Sequence, residues 1–188
     1  MKKNVLLVAL ILCCGFLFAR ELDVSFGHLS LFNIGDDVAR TDTGIAFDAN
    51  ILSQYENSNV GILFSFSYGK PLTFYINENG KKDAVKASDV FDKSEVLNFG
   101  FGGFYVPYEK NNFKVYLAGM FNVRMEKYGE NLDGVYGLGG FVSANYYFND
   151  YFFATCKLKG AYDFLHLEEV DFNSTFMLLP SIGFGIRF

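Results

Sequence analysis

Taken two residues at a time, the chain beyond residue 20 separates into two unlike sets of side chains. Its last stretch shows this best: Phe176, Leu178, Pro180, Ile182, Phe184, Ile186 and Phe188 alternate with Met177, Leu179, Ser181, Gly183, Gly185 and Arg187. The same period runs through 45–52, 60–69, 97–105, 114–124, 138–147 and 152–163. In these seven segments one register carries no charge, and the other carries Asp48, Lys114, Arg124, Lys157, Lys159, Asp163 and Arg187. Segment 21–32 alternates more weakly, with Leu22, Val24 and Phe26 against Asp23 and Ser25. A bulge at Gly27 is expected to return Leu29 and Leu31 to the apolar face. Pro180 lacks a ladder N–H, so a bulge or kink is expected there too. Eight strands follow, in an all-β antiparallel up-and-down order.

Alternation alone does not say which register faces inward. A soluble barrel keeps its charges outside, and a membrane barrel inverts this. Three features favour a transmembrane barrel. Several segments sustain the period over about ten residues, the length a tilted strand needs to cross hydrocarbon. Connectors alternate between long polar stretches (33–42, 71–94, 126–134, 166–173) and short ones (56–59, 108–112, 149–150). Aromatic rings collect at two levels. Tyr55, Tyr105, Tyr108, Tyr146, Tyr151, Phe152 and Phe188 fall at the short-turn end, and Tyr68, Phe74, Tyr75, Tyr128, Tyr136, Tyr162 and Phe172 at the long-loop end.

Composition sharpens this reading. Of 188 residues 19% are aromatic, with 23 Phe and 12 Tyr, which a disordered acidic chain does not carry. A formal net charge of −5 argues against nucleic acid as a partner. The first 19 residues read as a secretory signal peptide: Lys2 and Lys3, an apolar run from Val5 to Leu12, and a preferred cut after Ala19. Residues 20–188 then form the barrel domain. A lipoprotein signal at Cys13 or Cys14 is the alternative, against which Leu12 stands where a small residue is usual. Once the leader is removed only Cys156 remains, so no internal disulfide is expected.

The C-terminal residues Ser181, Gly183, Ile186 and Phe188 match the β-signal of outer-membrane proteins: polar, glycine, hydrophobic and terminal aromatic at set spacing. With the alternation, the chain resembles the small eight-stranded outer-membrane barrels of the OmpA, OmpX and OmpW-like group. The resemblance implies the bacterial outer membrane, both termini periplasmic, lipid around the barrel, and recognition by the barrel-assembly machinery.

The candidate chemistry lies in the lumen, just wide enough in eight strands for side chains to fill. Asp48, Lys114, Arg124, Lys157, Lys159, Asp163 and Arg187, together with Asp23, are expected to form an ion-pair network, because buried charges demand partners. The expected function is structural or surface contact, with loops 71–94 and 166–173 as the candidate surface for an extracellular ligand. The alternative is a narrow channel for small hydrophobic solutes, lined by Leu63, Phe104, Met120, Phe141, Phe153, Met177 and Leu179. His28-x-Ser30 resembles the pair of lipid A deacylase barrels, but no carboxylate is placed to orient His28, so no enzyme is expected. A soluble lipocalin-type barrel is disfavoured by the aromatic belts. Neither a cofactor nor a metal site is expected; acidic loops could hold Ca²⁺ only weakly.

Overall fold

The computed structural model describes residues 20–34, 38–78, 81–166 and 174–188. Nine strands run in chain order: β1 (Glu21–Ile34), β2 (Val38–Gln54), β3 (Val60–Glu78), β4 (Lys81–Lys86), β5 (Ser94–Lys110), β6 (Phe113–Tyr128), β7 (Asn131–Tyr147), β8 (Phe152–His166) and β9 (Ser174–Arg187). A single turn of helix, α1 (Ala87–Val90), joins β4 to β5. Every neighbour pairs antiparallel. β1 pairs with both β2 and β9, so the sheet closes on itself. The closed ring has eight strands in up-and-down order. β4 stays outside it, a hairpin extension paired to β3 from Thr73 to Glu78.

Each expected register places its charge-bearing side inward. Asp48, Lys114, Arg124, Lys157, Lys159 and Asp163 are all buried, while Phe26, Ile45, Phe101, Leu138, Leu158 and Phe184 are exposed on the outer surface. The cause is the strict period of two: one buried charge fixes the direction of every second neighbour.

β1 departs from expectation. Its pairing to β2 runs from Glu21↔Leu52 to Ile34↔Ala39 without a shift, so Gly27 is not a bulge. Leu29 and Leu31 therefore point inward and are buried. Gly27 has a different role: a Cβ there would stand 2.0 Å from the Pro180 carbonyl oxygen, so glycine lets β1 and β9 approach. Pro180 causes neither bulge nor kink in register. The missing N–H coincides with a short gap in the β1–β9 ladder, between Gly27↔Ser181 and Ser30↔Leu178. Bulges occur instead at Thr43/Gly44, Tyr105/Tyr108 and Tyr136/Gly137.

The expected long loops are shorter than their polarity suggested. β6 and β7 continue to a tight turn at Gly129, whose φ is 63°. β3 runs on through Pro71 to Glu78 and pairs there with β4. Asp42 and Glu126, taken as loop residues, are inward ion-pair partners on strands. Phe74 and Tyr128 likewise leave the expected aromatic belt: both are buried and pack with Phe91 and Ala87 over the far mouth. The expected signal segment, Asp36, Asp37, Asn79, Gly80, Phe172 and residues 167–171 lie outside the described residues.

Candidate functional site

The lumen is built from inward side chains in stacked levels. At the end bearing both termini stands Glu21. Tyr116 donates to it at 2.6 Å, Tyr147 at 2.9 Å and Arg187 Nε at 3.2 Å. Lys114 lies 3.7 Å from the same carboxylate and donates to Gln54 Oε1 at 2.7 Å. The Arg187 guanidinium covers the Tyr147 ring at 4.1 Å.

Above this level four charges meet. Lys157 on β8 binds Asp23 of β1 and, at 2.9 Å, Asp48 of β2. Lys159 donates to Asp48 at 2.9 Å, to Ser65 at 2.7 Å and to Ser67 at 2.6 Å. Those three acceptors use all three of its N–H donors. Asn50 bridges the two carboxylates, donating to Asp48 at 2.7 Å and Asp23 at 3.0 Å. Two cations thus face two anions, with hydroxyl and amide groups filling the remaining sites. A buried ion pair needs such added hydrogen bonds to offset its desolvation. β8 reaches across the lumen to β1, β2 and β3 here, so the group braces opposite walls.

Towards the far end Arg124 lies 2.5 Å from Asp163 and 2.7 Å from Glu126. At the mouth Arg40 meets Asp42 through two bonds of 2.8 and 2.9 Å. Its guanidinium stacks 5.3 Å from the Phe74 ring and 4.9 Å from Tyr128. Tyr128 also donates to Asp42 at 2.7 Å.

Between the charges the lumen mixes buried polar side chains, Asn98, Asn122, Ser143 and Asn145 among them, with two apolar clusters. Leu52, Leu63, Phe104, Val106, Tyr116, Met120 and Phe141 form one cluster. Leu29, Leu31, Ala46, Val96, Ala161, Met177 and Leu179 form another, nearer the far end. Inward glycines make room for these bodies. A Cβ at Gly185 would meet the Phe153 ring at 2.0 Å, and one at Gly61 the Phe104 ring at 2.5 Å.

The seven expected lumen charges stand in three groups. Asp48 joins Lys157 and Lys159; Arg124 joins Asp163; Lys114 and Arg187 share Glu21. Sequence reasoning missed Glu21, Arg40, Asp42, Tyr116, Tyr147 and Glu126. Glu21 continues the inward register of Asp23, and Glu126 that of Arg124, so extending the period by one step would have found both. The apolar inward residues Leu63, Phe104, Met120 and Phe141 pack in one cluster, and Met177 and Leu179 in the other; Phe153 packs against Tyr147. His28 is exposed on the outer face and Ser30 half-buried beside it. Among the described residues no group of three metal-ligating side chains converges.

Of the expected assembly-signal residues, Ser181, Gly183 and Ile186 lie on β9 between β1 and β8, and Phe188 follows it. Ser181 and Gly183 face inward, and the Ser181 hydroxyl meets that of Ser25 at 3.1 Å. Ile186 pairs with Leu22 and Phe152, and the Phe188 N–H donates to the Arg20 carbonyl at 2.9 Å.

No family model and no curated protein matches this sequence. Solved structures do match. Neisserial surface protein A superposes with a TM-score of 0.61 at 12% identity, over 89% of this chain and 97% of that one. The outer membrane protein OprG of Pseudomonas aeruginosa gives 0.50 at 14%, over 90% and 96%. The N-terminal β-barrel domain of OprF from the same organism gives 0.50 at 11%, over 90% and 98%. The fold is that of the small eight-stranded outer-membrane β-barrels. At these identities the shared property is the path of the backbone and not the contents of the lumen.

Proposed function

We propose that this chain is an integral outer-membrane barrel with a closed lumen, serving as a scaffold that presents the β3–β4 extension and α1 outside the cell. The observation that carries this reading is the burial of the lumen charges together with apolar side chains on the same inward face. Asp48, Arg124, Lys159 and Asp163 are fully buried, and two clusters of buried apolar side chains face the same lumen. The outward face supports membrane insertion. On β5 it is uncharged from Leu97 to Tyr105, nine residues that at about 3.4 Å each and a tilt of about 40° cover about 23 Å. That matches an apolar band of about 25 Å.

In this reading the three short turns and both termini face the periplasm. β9, carrying Ser181, Gly183 and Ile186 and followed by Phe188, is the strand handed over by the barrel-assembly machinery to close against β1. The contact surface outside is the segment 71–94, where Leu72, Tyr75 and Val90 are exposed. The reading assigns the chain no enzymatic step.

Planar-bilayer conductance of residues 20–188, refolded and inserted, tests the closed lumen. The expected trace is flat in a preparation whose barrel is shown by gel migration to be folded. Discrete, reproducible openings would establish a narrow channel and overturn the plug.

A further inference from the structure

The outward surface is not the same all the way round at the far end of the barrel. Along one cross-strand row Ser30 pairs with Thr43, Thr43 with Thr73, and Thr73 with Lys86. One row nearer the termini, His28 pairs with Ile45 and Ile45 with Lys70. All of these side chains face outward. His28, Ile45, Lys70 and Lys86 are exposed, and the three hydroxyls are half-buried. Neighbouring strands stand about 4.8 Å apart and alternate side chains on one strand about 7 Å, so the two rows form one compact polar sector. On β7 and β8 the far-end outward residues are instead Tyr136, Leu138, Tyr162, Phe164 and Leu165. The two hydroxyl-and-lysine rows lie on the β1–β4 side, opposite this apolar stretch of β7 and β8.

Its height is specific. Ser30 lies nine residues along β1 from Glu21, and Lys70 ten along β3 from Val60. At about 3.4 Å per residue and a tilt of about 40°, these are about 23 and 26 Å above the termini end. That is where an apolar band of about 25 Å gives way to headgroups. The bulge at Thr43/Gly44 falls inside the sector and leaves Leu72 as an extra exposed residue between Lys70 and Thr73. Glu95 on the adjoining strand accepts a hydrogen bond from Tyr68 at 3.4 Å.

We propose that this sector binds the phosphate-bearing headgroup of a membrane lipid. Lys70 and Lys86 supply the charge, and the hydroxyls of Ser30, Thr43 and Thr73 donate to phosphate oxygens. Ile45, 60% exposed, and Phe26, 66% exposed, continue the surface toward the membrane centre and meet the acyl chains of the same molecule. That continuity selects a lipid over a free anion, which would use only the polar half. The inference rests on the membrane-spanning reading and goes beyond it by naming a lipid chemistry and a side.

The test uses residues 20–188 refolded in a maltoside detergent, which carries no phosphate, with amide NMR shifts followed on titration with dihexanoyl phosphatidic acid. Saturable shifts confined to β1, β2 and β3 near Ser30, Thr43 and Lys70 are expected. Lys70→Gln and Lys86→Gln are each expected to weaken binding about fivefold, and together about 25-fold. Lys127→Gln, an outward lysine on β6 beyond the sector, is expected to change it less than about twofold. Because all three lysines point outward, away from the lumen, the variants are expected to keep the wild-type spectrum elsewhere. Unchanged binding in the double variant would overturn the proposal. So would equal binding of inorganic phosphate, or an equal loss in Lys127→Gln. Failure of the wild type to insert into pure phosphatidylcholine vesicles would instead strike the membrane-spanning reading, so the two failures are separable.

Discussion

The inner and outer surfaces of this barrel are made by the same strands, one residue out of step, yet they solve opposite problems. The inner surface buries charge and specifies its partners atom by atom, as Lys159 does with Asp48, Ser65 and Ser67. The outer surface carries exposed rings and aliphatic chains with few named partners, such as Phe64 beside Phe101 at 4.9 Å. One is a jigsaw and the other a coating. A substitution inside should therefore be judged by what it leaves unpaired, and one outside by how it suits the surrounding solvent.

The largest expected effect breaks the inner surface at its centre. Asp48→Ala removes the shared anion of Lys157 and Lys159, and should cost about 3–5 kcal/mol of stability. Urea unfolding of the barrel in lipid vesicles measures it; a loss below about 1 kcal/mol would show that the quartet is not held as a unit. Next comes a charge on the outer surface. Phe101→Arg, at the middle of the β5 outward run, should cost about 2–4 kcal/mol in a bilayer. A neutral result in the same assay would remove lipid from around that face.

The finest comparison uses two glycines. At Gly185 an added methyl would collide with the buried Phe153 ring, so Gly185→Ala should cost about 1–3 kcal/mol. At Gly119, on the outward side, a Cβ meets nothing within 4 Å. Gly119→Ala should be neutral or gain up to about 1 kcal/mol by restricting the unfolded chain. Equal losses at both positions, read from unfolding midpoints, would erase the distinction between the two surfaces.

Much of this was readable before any coordinates. Strand alternation in seven segments placed every charged position on one side, because a period of two leaves no freedom once one face is apolar. The same logic failed where polarity was equated with solvent. Asp42 and Glu126 looked like loop residues, yet each extends the inward register and pairs with an arginine two positions away, Arg40 and Arg124. Gly27 looked like a bulge because Leu29 and Leu31 were assumed to belong outside. Their burial in the far-end cluster shows that a lumen also takes apolar side chains.

By itself, then, the sequence determined the alternation, the eight strands of the ring and the set of side chains that share a face, since these depend on local backbone geometry alone. Ring closure decided the rest. Lys157 meets Asp23 across 134 residues, and Tyr116 meets Glu21 across 95. Such partners are set by the stagger with which eight strands close and by which side chains then fit across a narrow lumen, a property of the whole ring that no single strand encodes.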